Sequence, residues 1–162
     1  MTLGAFVLAL VKGLMTFSIV VSGGSMMPTF EDGEVLYVSM YEVVAEEIDR
    51  GDIIAFELPG EDFLYVKRVI GLPGEEVSFM EGDVYVDGNK LSEPYARGET
   101  FGVSFVSDSE GVADESFVYN VQEGEYFVLG DNREESLDSR NYAGVYVRNE
   151  DLKGVFTVPG SF

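Results

Sequence analysis

A mostly β, antiparallel fold is what this sequence predicts, and three observations carry the expectation. Short runs rich in β-branched and aromatic residues recur at 34–38, 52–56, 63–70 and 125–129, with shorter ones at 145–147 and 155–158. Turn residues bound several of them, as in Glu31-Asp32-Gly33, Arg50-Gly51-Asp52 and Leu58-Pro59-Gly60. Helical periodicity is nearly absent: past the apolar start, only 41–48 reads as a brief helical turn, and its Val43-Val44 pair weakens even that.

The elements follow in chain order. Residues 1–21 are almost all apolar, interrupted by Lys12 and by Thr16 and Ser18. A full membrane span needs about 20 apolar residues and would hold Lys12 in mid-bilayer, at a cost of roughly 2.5–3.5 kcal/mol. A removable leader would begin with basic residues, and this segment does not. The better fit takes 2–11 as the last part of a membrane helix, Lys12 as the interface residue and 16–21 as the first strand. Ten helical residues rise only ~15 Å, so such an anchor is shallow or belongs to a longer one.

Beyond the three runs from 34 to 70, the segment 84–91 reads as a hairpin around Asp87-Gly88. Between 94 and 123 the texture changes: Gly, Ser, Asp and Glu dominate, and no period is sustained. A loop of that length inside a compact core is improbable, so a small strand pair is expected there. The organisation predicted is an anchor helix at 1–15, a catalytic β core from 16–80 and 124–162, and an inserted hairpin and loop region at 81–123.

Composition narrows the chemistry. With 162 residues the chain is long enough for one core, and it contains neither histidine nor cysteine. Imidazole and thiolate chemistry are thereby excluded, as is zinc held by either residue. The formal net charge of −20 argues against nucleic acid as a partner and against adhesion to anionic lipid through basic residues. Membrane residence then has to come from apolar insertion.

A hydrolase built from such a chain must activate a serine by other means. In an extended strand Phe63, Tyr65, Lys67 and Val69 share one face, so Lys67 has aromatic and branched company. Burial disfavours its ammonium form. An unperturbed lysine near pKa 10.4 is only about one part in a thousand neutral at pH 7.5, whereas one near 8 is about a quarter neutral. A neutral amine accepts a proton from a serine hydroxyl; an ammonium does not. Taken alone, Lys67 reads better as a surface lysine on an edge strand.

The run Ser25-Met26-Met27-Pro28-Thr29 supplies a candidate serine. Gly23-Gly24 before it permits close backbone approach, Pro28 bars a helix, and Met26 and Met27 offer adaptable apolar surface. A third segment, Gly130-Asp131-Asn132-Arg133 to Arg140, follows an apolar strand and carries Ser136, Asp138 and Ser139. Asp138 and Arg140 are expected to pair with opposite charges brought in by the fold. Each segment alone also reads as an ordinary loop.

Together, and in this order, the three segments resemble the type I signal peptidases, membrane-bound serine-lysine proteases that cut signal peptides from exported proteins. Ser25 to Thr29 is similar to the family's nucleophile box, Tyr65-Val66-Lys67-Arg68 with the following Val69-Ile70-Gly71-Leu72-Pro73-Gly74-Glu75 to its general-base box, and Gly130 to Arg140 to its C-terminal box. The resemblance implies an antiparallel β catalytic core of signal-peptidase type with a small inserted β region. It implies Ser25 as nucleophile and oxyanion backbone donor, Lys67 as general base, Ser136 as the residue orienting the lysine, and Asp131, Asp138 and Arg140 as supports. Met26, Tyr65 and Val66 fall to the substrate pocket. No metal or cofactor is implied; the partners are signal peptides of preproteins and the lipid bilayer. The implied location is the plasma membrane, with one N-terminal anchor, the catalytic domain on the outer side, and cleavage after small residues of the Ala-X-Ala type.

One departure stands out. Some members carry a hydroxyl two residues before the nucleophile as a second oxyanion donor, and here that residue is Gly23. Two other functions compete with the first: a self-cleaving serine-lysine repressor, and an inactive membrane-tethered β module. The first needs a DNA-binding domain and a scissile bond upstream, where this chain has an apolar segment; the second needs lost reactive groups, and all three boxes keep theirs.

Overall fold

The computed structural model describes residues 14–41, 43, 48–104, 112–114, 118–141 and 146–156. The expected anchor at 1–15 therefore lies almost wholly outside the described residues, as does most of the expected helical turn at 41–48. Among the described residues no helix is long and apolar enough to cross a membrane.

Thirteen strands make up the described fold: β1 (Thr16–Val20), β2 (Val35–Ser39), β3 (Ile53–Glu57), β4 (Leu64–Gly71), β5 (Glu76–Met80), β6 (Asp83–Val86), β7 (Asn89–Lys90), β8 (Gly102–Ser104), β9 (Val112–Asp114), β10 (Val118–Asn120), β11 (Glu125–Leu129), β12 (Val147–Arg148) and β13 (Leu152–Phe156). They form a seven-stranded sheet in the order β1-β2-β13-β3-β4-β11-β12, a four-stranded sheet β10-β5-β6-β7, and the pair β8-β9. Every strand pairing is antiparallel. The mostly β architecture expected from the sequence is thus observed.

Burial explains why the strands differ in pattern. In β2, Leu36 and Val38 point inward while Val35 and Tyr37 are exposed, the alternation of a strand with one wet face. In β3, Ile53, Ile54, Ala55 and Phe56 are all buried, because the large sheet is covered on both sides at its centre. One core gathers Met26, Phe30, Val38, Ile53 and Ala55, and another gathers Ile54, Phe56, Val69, Val128 and Val155. A third joins the sheets: Ile70, Phe127 and Leu129 pack against Val77, Phe79, Val84 and Tyr119.

The Asp87-Gly88 hairpin closes β6 onto β7, with both residues at positive φ (49° and 73°), the geometry of a tight two-residue turn. The strand pair expected between 94 and 123 corresponds to β8-β9, while β10 joins the second sheet beside β5. β5 was not foreseen, although Val77 and Phe79 alternate inward; it pairs with β6 and β10 in the second sheet. Of the two late runs, Val147 opens β12 and Val155 lies in β13, while 145 and 157–158 fall outside the described residues.

Candidate active site

Strand alternation positions the first cation. Lys67 in β4 stands opposite Ile54 of β3, with Tyr65 and Val69 on its own face, and its side chain is only 4 % exposed. Its Nζ lies 2.8 Å from Ser25 Oγ and 2.9 Å from the Val66 carbonyl oxygen. Burial pushes the Lys67 amine down to about 8, against partial opposition from the negative charges of Asp138 and Asp131. The lysine amine thus stands within hydrogen-bond reach of the Ser25 hydroxyl.

The next residue points the other way. Arg68 donates from Nε and Nη2 to the two carboxylate oxygens of Asp131 at 2.8 and 2.6 Å, and from Nη1 to the Gly51 carbonyl at 2.7 Å. Its guanidinium lies 3.9 Å from the centroid of the Tyr95 ring. The Thr29 hydroxyl donates to the same Asp131 carboxylate, which ties the end of the nucleophile segment to the third segment. Asp131 and Arg68 are both buried, so each neutralises a charge the other could not carry alone there.

Asp138 and Arg140 pair with each other and not, as expected, with charges brought from elsewhere: Arg140 Nε and Nη2 reach the Asp138 oxygens at 2.8 and 2.9 Å. The turn between them is tight enough for a bidentate pair inside one loop. Asp138 also accepts from the Gly130 N–H at 3.1 Å, and Arg140 donates to the Arg133 carbonyl at 2.8 Å, so the pair braces the whole loop. Ser139 exchanges bonds with the Val128 main chain.

Ser136 is 8 % exposed, and its Oγ has no hydrogen-bond partner among the described residues. The expected bond to Lys67 is not formed; the amine is bonded to Ser25 Oγ and the Val66 carbonyl. Ser136 is nonetheless beside Ser25. A methyl group on Gly130 would meet Ser136 Oγ at 2.2 Å and the Ser25 carbonyl oxygen at 2.5 Å, so glycine is the residue that lets the two segments touch.

An open groove of about 800 Å³ runs past this centre. Ser25 and Lys67 lie on its floor, and Val20, Phe63, Tyr65 and Val66 are among its walls. Met26 touches the groove but is 2 % exposed and mainly fills the core beneath it. Gly130, Arg68 and Asn132 belong to this constellation without a role in the sequence reading. All three lie in segments that carry the family resemblance, but no individual role was read for them there.

The fold is that of a serine endopeptidase of the signal-peptidase kind, as comparison with known proteins shows. The sequence matches the family described as signal peptidase, peptidase S26, over residues 1–159. It is 38% identical over 152 residues to signal peptidase I S of Bacillus subtilis (strain 168), covering 90% of this chain and 78% of that one. To a signal peptidase I of Bacillus licheniformis it is 40% identical over 147 residues, covering 87% and 75%. Among solved structures, a signal peptidase I from Enterococcus faecalis V583 superposes with a TM-score of 0.52 at 37% identity, covering 68% of this chain and 97% of that one. The chain belongs to the signal peptidase family, whose type I members are serine endopeptidases acting on preproteins that carry signal peptides. Membership sets aside the self-cleaving repressor as a reading.

Proposed function

We propose that this signal peptidase works through a Ser25–Lys67 dyad, anchored to the membrane by its apolar N-terminal segment, with the catalytic domain on the outer side. The observation that carries the reading is the 2.8 Å contact between the Lys67 amine and the Ser25 hydroxyl, made by a lysine that burial brings to about 8. With the amine neutral, Ser25 Oγ–H donates to Nζ. As Oγ attacks the scissile carbonyl, the proton passes to Lys67, and the developing oxyanion takes the Ser25 N–H as donor. The Lys67 ammonium then protonates the leaving amine of the mature protein. Water, deprotonated by the regenerated amine, hydrolyses the acyl-enzyme.

Ser136 has its place after the first proton transfer. Its buried, unpartnered hydroxyl is available to receive the ammonium once Ser25 Oγ has become an ester oxygen. Asp131, Asp138 and Arg140 hold the loop that carries it. The substrate lies extended in the groove between the walls of Val20 and of Tyr65 and Val66, and small residues before the cut fit where Met26 closes the floor.

Cleavage of a membrane-presented precursor, followed by gel mobility, tests the dyad. Ser25→Ala and Lys67→Met are each expected to abolish processing with the β signature of circular dichroism unchanged. Full activity in either variant rejects the assignment. Replacing the residue before the cut by a bulky one is expected to stop cleavage, and tolerance of that change rejects the pocket.

A further inference from the structure

The Gly24–Ser25 peptide is held from one side only. Its carbonyl oxygen, on Gly24, accepts from the Met27 N–H at 3.1 Å and from Asn132 Nδ2 at 3.1 Å. Its N–H, on Ser25, has no partner among the described residues. The peptide is trans, so its C=O and N–H point in opposite directions in one plane. Whatever fixes the carbonyl therefore aims the N–H.

Asn132 is built for that task. It is 3 % exposed, and its own main-chain N–H donates to the Ser25 carbonyl at 3.0 Å, so it grips the peptide units on both sides of the nucleophile. Its side-chain nitrogen also donates to Glu135 Oε2 at 3.3 Å. Both side-chain neighbours are acceptors, which requires the NH2 and not the oxygen of the amide to face them. Glu135 is in turn anchored by its N–H to the Asn132 carbonyl at 3.1 Å.

Gly23 does not share the work of the Ser25 N–H. Gly23, two residues before the nucleophile, has no hydroxyl, and its N–H is already committed to Asp32 Oδ1 at 2.8 Å. With a single main-chain donor, its direction decides how well a tetrahedral oxygen is bound. We propose that Asn132 is a positioning residue for the transition state: its amide, steered by Glu135, orients and polarises the Gly24–Ser25 peptide so that the Ser25 N–H points at the oxyanion. This rests on the reading of Ser25 as nucleophile with its own N–H as donor. A hydrogen bond accepted by the carbonyl also strengthens the N–H of the same peptide as a donor.

The test uses the full chain, a peptide substrate ending its leader in Ala-X-Ala, the product peptide, and the matching peptide boronic acid, whose serine adduct places an oxygen at the oxyanion position. Asn132→Ala is expected to lower kcat roughly ten- to a hundredfold, with KM and product affinity within about twofold of the parent. Boronic acid affinity should fall in step with kcat/KM, and the pH midpoint should stay where it was, since Lys67 is untouched. Asn132→Asp keeps the size and the main-chain bond to Ser25 but has no amide donor; it should show the same pattern even if the alanine variant folds poorly. Unchanged kcat in a folded variant overturns the proposal. So does an equal loss of substrate, product and boronic acid binding, which is the mark of a merely structural role. If Ser25→Ala retains activity, the nucleophile reading itself fails; if it is inactive while both Asn132 variants are unaffected, only the present inference does.

Discussion

Under the proposed dyad, Lys67 is the residue whose environment does most to set the behaviour of this enzyme. Its conjugate acid is brought from 10.5 to about 8 chiefly by burial, so kcat/KM is expected to rise with pH through a midpoint near 8. A rate indifferent to pH between about 6 and 10 would contradict an amine base. The same shift has a stability consequence. The folded state releases its proton near 8 and the unfolded chain near 10.5, so between those values the unfolded state binds more protons and stability rises with pH. At neutral pH the buried ammonium costs up to about 3 kcal/mol. Lys67→Met should therefore melt higher than the parent at pH 7, by less than that figure implies because two hydrogen bonds are lost, and the gap should close toward pH 10.5. Thermal melts across pH check this. Gly130 is a residue of the opposite kind, needed for the space it leaves. Gly130→Ala places a methyl against Ser136 and the Ser25 carbonyl, and should lower kcat on the order of a hundredfold through displacement of the nucleophile segment. Near-parent activity would mean that the loop moves freely.

At the scale of elements, β4 separates two cations by strand alternation alone. Lys67 faces the serine and Arg68 faces Asp131, and a one-residue slip against β3 would exchange them. Register is pinned by β4 itself, because a slip would turn Arg68 away from Asp131 and leave both charges buried and unpaired. The segment that follows β7 is tied to the 130–140 loop through Arg133, which reaches Glu93 at 2.5 and 3.0 Å and the Thr100 hydroxyl at 2.5 Å. Arg97 and Asp131 to Arg133 exchange main-chain bonds alongside it. Arg133→Met is expected to destabilise the fold by about 3–5 kcal/mol, because Glu93 is left nearly buried without its partner. Urea unfolding measures that loss, and a change below about 1 kcal/mol would show that the pair is replaceable by packing.

For the whole molecule, a net charge of −20 on 162 residues makes self-repulsion the dominant long-range term. Tm is expected to rise as sodium chloride is raised from about 0.02 to 0.5 M, since screening then shortens to a few ångströms. A falling Tm would mean that the ion pairs outweigh the repulsion. Much of the architecture was legible beforehand because apolar alternation and turn residues are local signals. The strands at 52–56 and 63–70 and the Asp87-Gly88 hairpin reappear almost as read. β5 is five residues long and follows directly on the turn at 72–75, so its two inward positions, Val77 and Phe79, are too brief an alternation to mark a strand. The pairing of Asp138 with Arg140 was misassigned to distant partners because a loop's curvature is not written in residue spacing.

By itself the sequence determined which chemistry was open: no imidazole or thiol, a serine after two glycines, a lysine among apolar neighbours, and strands enough for a β core. It carried these because composition and alternation are properties of the chain. Only the tertiary structure brought Lys67 within 2.8 Å of Ser25, left Ser136 buried without a partner, and turned Asn132 toward the Gly24 carbonyl 108 residues away. Those distances come from the stacking of strands far apart in sequence, where one residue's direction depends on the packing of all the others.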